Sequence, residues 1–366
     1  MLFRSKRPRT LFFFHETTWS GGPIQLLHLM TWLKTKDWKI AAAVPRPTTQ
    51  ESGPIAARLT TLGIETFPVL DLSAKPDFPG LRRLCQGFEA VVANTLVMWA
   101  PVRAAHEAGV PSLWYLHESL VARQLIEQFP EIEATFALAE VIVAPTQRTA
   151  EIYRPYTNRA IEVMPYGIPP NDSVAARNSI GLTSFLLLGT YEPRKGQDFF
   201  LEAIHQLPLR WGKRARFRMA GRRLDQAFFE ELSRQAADRP EVELGPALEH
   251  ADAQAAIAAA DVLVCASRDE TMPVAILEAM SAGKTIVATA VGGIAEWLEN
   301  NRNALLVRPE DPAALARALQ RCLEEPNLRA RLGTEARRTF QRHFSLDRLG
   351  KNFSRLLLRA SRRKRS

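Results

Sequence analysis

The feature that most constrains this chain is a rhythm. Short, continuous apolar runs alternate with stretches of helical spacing, and the series runs twice. In the first half the runs are "TLFFFH" (10–15), "WKIAAAV" (38–44), "EAVVAN" (89–94), "SLWYLH" (112–117), "VIVAP" (141–145) and "IEVMP" (161–165). In the second they are "SFLLLG" (184–189), "ARFRMAG" (215–221), "DVLVCAS" (261–267), "KTIVATA" (284–290) and "NALLVRP" (303–309). A strand that is apolar at consecutive positions is covered on both faces, the condition of a parallel sheet between layers of helices. The sequence therefore predicts an α/β chain with two doubly wound parallel-sheet domains. "YGIPPNDSVAARNSIG" (166–181) reads as the linker between them. The expected division is 1–170, 171–345 and a terminal stretch 346–366, and 366 residues suit two cores better than one. Ligands of such sheets bind beyond the carboxyl ends of the strands. Sites are therefore expected just after these runs, in a cleft between the two domains.

Charge narrows the partners. The formal net charge is +9, but ten cations stand in two end segments that hold no acid. These are Arg4, Lys6, Arg7 and Arg9 at one end, and Arg355, Arg359, Arg362, Arg363, Lys364 and Arg365 at the other. Without those ten the remainder carries −1, so a nucleic-acid-binding core is not expected. A basic tail fits anionic lipid head groups, each cation contributing about 1 kcal/mol near a surface; it fits a solvated chain end equally well. The opening "MLFRSKRPRTLFFFHE" has too short an apolar run for a secretory leader and reads as a buried first strand. No apolar run reaches bilayer-spanning length. Cys85, Cys265 and Cys322 are sparse, odd in number and without metal spacing, which suits a reducing cytoplasm.

The chemistry-bearing stretches stand after the strand candidates. In "HETTWSGGPIQLLHL", Gly21 and Gly22 precede Pro23, which suits a helix's first turn and lets a ligand approach its N–H groups. The pair is also compatible with a plain strand-to-helix turn, and it is not a dinucleotide fingerprint. "WYLHES" ends a strand with His117 and Glu118, and a histidine there can exchange hydrogen bonds at neutral pH. "LLLGTYEPRKGQD" has Gly189 and then Arg194 and Lys195 ahead of a helix. Cations at that end oppose the helix dipole unless an anion such as a diphosphate binds between them.

"SRDETMPVAILEAMSAGK" (267–284) holds two acids divided by Pro273. Proline disfavours helix before it, so Glu270 falls in a loop, with the helix starting at or near Pro273. Glu278 falls in the second helical turn among Ile276, Leu277 and Met280. A buried lone carboxylate is costly without a partner. A ligand's hydroxyl pair would supply two charge-assisted bonds; an exposed helix face or an internal Lys or Arg would also resolve the conflict. In "TAVGGIAEWL", Gly292 and Gly293 open one more turn, and Glu296 reads as a capping acid.

Together these motifs resemble the retaining glycosyltransferases of the GT4 family. The matching run extends from "LLLGTYEPRKGQDFFLEAI" through "DVLVCASRDETMPVAILEAMSAGK" to "NALLVRPEDPAALARAL", with "GGP", "VVANT", "WYLHES" and "VMPYGI" matching more loosely in the first half. The resemblance implies the GT-B fold of two Rossmann-like domains. It implies that Glu278 holds the ribose hydroxyls of a nucleotide-sugar donor and that Glu270 contacts the donor sugar. Lys195, Arg194 and backbone N–H groups at Thr271 and Met272 would bind the diphosphate. His117 would reach the sugar from the first domain, Gly189 would open the phosphate turn, and Gly21 and Gly22 would admit acceptor and phosphate. The base would rest near Gly245 to Leu248, and the last helix would cross back to the first domain, so that Leu349, Phe353, Leu356 and Leu357 fall between the domains. Two departures stand out: Thr190 replaces an arginine common in the family, and Thr271 replaces a glycine.

No D-x-D pair stands at a strand end, so the expectation is transfer without metal or other cofactor. Cations and helix N-termini would stabilise the leaving diphosphate. The resemblance implies retention, with the acceptor hydroxyl attacking from the face the phosphate leaves. The acceptor class expected is a glycan or lipid-linked sugar of a cell-surface polysaccharide, reached by a cytoplasmic protein on the inner face of the membrane. A non-catalytic nucleotide-sugar-binding module and a nucleotide-sugar epimerase are the rival expectations.

Overall fold

The computed structural model describes residues 7–46, 53–69, 76–171 and 181–363. It divides into two compact units, Met1–Pro169 with Ser345–Ser366, and Pro170–Phe344. Residues 172–180 of the sequence linker lie outside the described residues, as do Arg4, Lys6, Lys364 and Arg365 of the basic ends.

The first unit is built on seven strands: β1 (Thr10–Phe13), β2 (Ile40–Pro45), β3 (Glu65–Val69), β4 (Ala90–Asn94), β5 (Ser112–Tyr115), β6 (Val141–Ala144) and β7 (Ile161–Val163). Their order is β3-β2-β1-β4-β5-β6-β7, and every pair is parallel. β1, β4, β5 and β6 are buried at every position, as their unbroken apolar runs require. The order reverses between β1 and β4, whose carboxyl ends lie side by side, with Phe13 opposite Ala93.

The second unit has β8 (Thr183–Leu188), β9 (Ala215–Ala220), β10 (Val242–Gly245), β11 (Val262–Cys265), β12 (Thr285–Thr289) and β13 (Leu305–Val307). They run parallel in the order β10-β9-β8-β11-β12-β13. Here the reversal falls between β8 and β11. Phe185, Phe200 and Phe217 pack at its centre, with Phe185 and Phe217 stacked at 4.9 Å.

Two expectations need correction. β3 and β10 do not read as strands in the sequence, because both are edge strands with exposed polar positions and so lack an unbroken apolar run. The first long helix, Gly21–Thr35, begins at the glycine pair and does not follow it. The terminal helix Leu346–Arg363 belongs to the first unit, as the resemblance implies. Leu349, Phe353, Leu356 and Leu357 are buried there, with the Phe353 ring against Phe12 and Tyr115 at 6.5 and 6.3 Å. Arg355, Arg359 and Arg362 ride on this helix, and Arg359 pairs with Glu162.

Candidate functional site

In the second unit the loops after β8 and β11 meet where the strand order reverses, the position at which open parallel sheets bind ligands. From β8 the chain passes through Gly189 and Thr190 into the short turn Pro193–Lys195, and then into the helix Gln197–His205. From β11 it passes through residues 266–273 into the helix Val274–Ser281, with Pro273 as the cap. Glu270 is buried in this second loop. One of its oxygens takes Lys195 Nζ at 2.5 Å and the Ser267 hydroxyl at 2.9 Å, with Arg194 Nη1 at 3.8 Å. Burial alone raises the Glu270 pKa, but Lys195 and Arg194 outweigh it and hold the carboxyl below its ordinary value. Both cations of "PRKG" thus face an acid already present.

Arg194 is shared. Its Nη2 donates to Glu192 at 2.8 Å, and Thr190 donates to the same oxygen at 2.6 Å. The residue that departs from the family pattern at 190 therefore helps to hold the acid that holds Arg194. Gly189 gives the Lys195 stem its path: a Cβ there would lie 3.3 Å from Lys195 Cδ. The second glycine turn supports the acid loop from below. Gly292 has φ +47°, and a Cβ on it would fall 1.6 Å from the Glu270 carbonyl oxygen, while Gly293 N–H donates to the Thr271 carbonyl at 2.8 Å. Thr271 and Met272 are buried within this loop.

Glu278 has a different environment. It is 4% exposed on the inner side of its helix. Among the described residues no lysine or arginine pairs with it. Its neighbours are the Gln254 amide at 3.5 Å and the His250 imidazole at 3.8 Å. Burial lowers the His250 pKa, so that ring is the weaker cation. Burial pushes the Glu278 carboxyl up to about 7, only partly opposed by Gln254. Of the two acids divided by Pro273, Glu270 is satisfied by Lys195 and Ser267, whereas Glu278 has only the Gln254 and His250 contacts. His250 opens the helix His250–Ala259 just past β10, whose last residue, Gly245, and the exposed Pro246 and Ala247 lie where a base was expected.

In the first unit the expected residues also converge on the reversal point. A Cβ on Gly22 would stand 3.7 Å from His117 Cδ2. The His117 ring nitrogens meet the Tyr166 hydroxyl at 2.7 Å and Asn94 Oδ1 at 2.6 Å. Burial, aided by His15, lowers the His117 pKa to about 3, so the ring is neutral. Glu118 turns inward: its carboxylate accepts Leu96 N–H at 2.9 Å and His117 N–H at 3.1 Å. Burial raises its pKa. After β1, Glu16 accepts hydrogen bonds from His15 and Ser20, the former chiefly holding its carboxyl down to about 2.

Comparison with known proteins shows what this arrangement is similar to. The sequence profile described as "Glycosyl transferases group 1" matches residues 183–325, from β8 to the helix Pro312–Glu324. Over that stretch the second unit is similar to the group 1 glycosyltransferases. Among curated relatives, a D-inositol 3-phosphate glycosyltransferase of Xylanimonas cellulosilytica is 29% identical over 229 residues, covering 57% of this chain and 55% of that one. The alpha-D-kanosaminyltransferase of Streptomyces kanamyceticus is 28% identical over 151 residues, covering 41% and 39%. The chain spans little more than half the length of the curated relatives it matches. Among solved structures, HepE of Anabaena in complex with UDP-glucose superposes with a TM-score of 0.82 at 18% identity, over 96% of this chain and 99% of that one. Sucrose-phosphate synthase of Thermosynechococcus elongatus gives 0.77 at 19%, over 96% and 98%. The fold is GT-B.

Several site residues escape sequence reading. Arg268 grips both Asp198 oxygens at 2.9 Å and Glu310 at 3.0 Å, and its N–H donates to the Arg194 carbonyl at 2.8 Å. It ties the β8 and β11 loops together, yet in sequence it is one arginine of a polar loop. Gln254 and His250 sit on another helix than Glu278, and no local spacing connects them.

Proposed function

We propose that the chain transfers a sugar from a nucleotide-diphosphate donor to a glycan or lipid-linked acceptor, with retention at the anomeric carbon, in the building of a cell-surface polysaccharide. The observation that carries this reading is Glu278, a buried carboxylate with only neutral groups beside it at the end of the second unit's sheet. A ribose offers two adjacent hydroxyls to such a group. Lys195 and Arg194 are assigned to the diphosphate. They stand at the start of a helix, and binding there replaces part of their bond to Glu270 with bonds to phosphate oxygens. As the leaving group gains charge, these cations and the helix N-terminus stabilise it without a metal ion. Glu270 is assigned to the donor sugar, and the acceptor hydroxyl's proton passes to the departing phosphate. UDP is the first nucleotide to test, because the Anabaena neighbour is in complex with UDP-glucose.

A second reading keeps the binding and removes the turnover. It is favoured by the closed Lys195–Glu270 and Arg194–Glu192 bonds and by Thr190. A thermal-shift screen across nucleotide sugars, followed by incubation with labelled donor and glycan acceptors, separates the two. A donor that raises the melting point and is then transferred supports the enzyme. Binding without transfer or hydrolysis supports the module, and conversion of free donor with no acceptor supports an epimerase.

The working place we assign is the inner surface of the cytoplasmic membrane. Among the described residues no helix is long and apolar enough to cross a membrane. Arg348, Arg355 and Arg362 are exposed on the terminal helix, and unmodified cysteines suit a reducing compartment. Retention of liposome binding at low salt after deletion of 361–366 would remove the tail from this role.

A further inference from the structure

On the first unit a buried polar group lacks a partner among the described residues. Asn94 ends β4 with no exposed surface, and its Nδ2 makes no hydrogen bond. Its Oδ1 lies 2.6 Å from His117 Nε2, and His117 Nδ1 lies 2.7 Å from the Tyr166 hydroxyl. A phenol O–H donating to Nδ1 leaves Nε2 protonated, and Nε2–H then donates to the amide oxygen. Both ring nitrogens are thereby used inside the protein, and the donor capacity of the row emerges at the Asn94 N–H.

That end faces the first helix. A Cβ on Gly22 would stand 3.5 Å from Asn94 Nδ2 and 3.4 Å from Thr95 Cγ2, so the helix's first turn backs directly onto both residues. The Thr95 hydroxyl is also buried and without a partner among the described residues. Thr95 has φ +84°, an outlier for a β-branched residue. Its N–H donates to the Tyr115 carbonyl and its carbonyl accepts Trp114 Nε1–H, both at 2.8 Å, while Glu118 holds the next N–H. Backbone strain fixed by its surroundings at the end of a central strand is the pattern of a ligand-facing turn.

We propose that Tyr166, His117 and Asn94 form one hydrogen-bond row whose terminal Asn94 N–H, and not the imidazole, binds a sugar hydroxyl, with the Thr95 hydroxyl beside it. The inference rests on the sugar-transfer reading above. A hydroxyl accepts one bond and donates another, which matches an N–H next to a threonine oxygen. A phosphate is disfavoured, because ionised Glu16 already stands against Ser20, the cap of the helix Gly21–Thr35. Bonds in a row polarise one another, so Tyr166 strengthens the Asn94 donor through the ring.

Asn94→Asp tests this. It keeps an oxygen for His117 Nε2–H and replaces the free N–H with a second oxygen. Calorimetry with UDP, with UDP-glucose, and with free glucose on UDP-saturated protein separates a nucleotide-borne sugar from an acceptor sugar. The expected result is unchanged UDP affinity and a roughly tenfold loss in one of the two sugar-dependent affinities. Unchanged sugar affinities, or an equal loss for UDP alone, would overturn the proposal. A wild-type protein that does not bind UDP counts against the nucleotide-donor reading, and the row is then judged by 15N spectra of His117. With His15, Glu118, Tyr115 and Tyr166 as its titratable neighbours, the ring is expected to remain the neutral Nε2–H tautomer from pH 5 to 8 and to become a mixture in Tyr166→Phe. An Nδ1–H tautomer in the wild type would sink the row.

Discussion

Glu278 costs stability at the position where we propose that it serves binding. Its folded pKa, about 7, lies above that of an unfolded glutamate. The folded state therefore binds the proton more tightly, and stability is lost as pH rises from about 4.5 to about 7, the loss being complete above the folded value. The shift corresponds to about 3 kcal/mol. Glu278→Gln should accordingly raise the melting temperature at pH 8 and change it little at pH 4, as read by thermal denaturation at the two values. An equal effect at both would mean that burial is not the cause. Glu270 behaves in the opposite way, since Lys195 and Arg194 hold its pKa down. Removing one partner of a buried pair strands the other, so Lys195→Met should cost about 3 kcal/mol in chemical denaturation. The conflict around Glu278 was legible in "PVAILEAM", because a charge among apolar neighbours needs a partner. The Lys195–Glu270 bond was not, because 75 positions separate the two residues and only the meeting of β8 and β11 joins them.

At the scale of elements, the buried strands and the edge strands β7 and β13 were legible, and the edge strands β3 and β10 were not. β4 and β11 are covered on both sides and announce themselves as apolar runs. β3 carries Glu65 and Pro68, and β10 carries Glu243, since each has a neighbour on one side only. The glycine pair after β12 was legible as a turn, but its task was not. Gly292 is there so that the turn can pass against the Glu270 carbonyl. Gly292→Ala combines a clash with a positive φ, and should displace the acid loop and cost about 1–3 kcal/mol. Chemical denaturation measures the cost, and a loss of nucleotide binding in the folded fraction would place the damage at the loop.

For the whole molecule, the division into two sheets was legible from a pattern that restarts, whereas the return of the last helix to the first unit came from the family resemblance and not from spacing. The sequence of Leu346–Arg363 reads as amphipathic and basic, and spacing alone does not say which core receives its apolar stripe. Phe353 settles into the first unit against Phe12 and Tyr115, so a segment at the end of the chain completes a core begun at residue 10. Phe353→Ala should cost about 3–5 kcal/mol in chemical denaturation. The function proposed for the molecule stands on the nucleotide site proposed in the second unit, and one measurement reaches it directly. Titrate UDP-glucose and UDP by calorimetry at pH 8 into wild type, Glu278→Gln and Glu270→Gln. The account predicts that Glu278→Gln loses at least about tenfold in affinity for both ligands, as loss of a charged hydrogen-bonding partner requires, while Glu270→Gln keeps its affinity for UDP. Equal affinity of Glu278→Gln and wild type for UDP would contradict it, and Glu278 would then be a buried acid with no part in binding the donor.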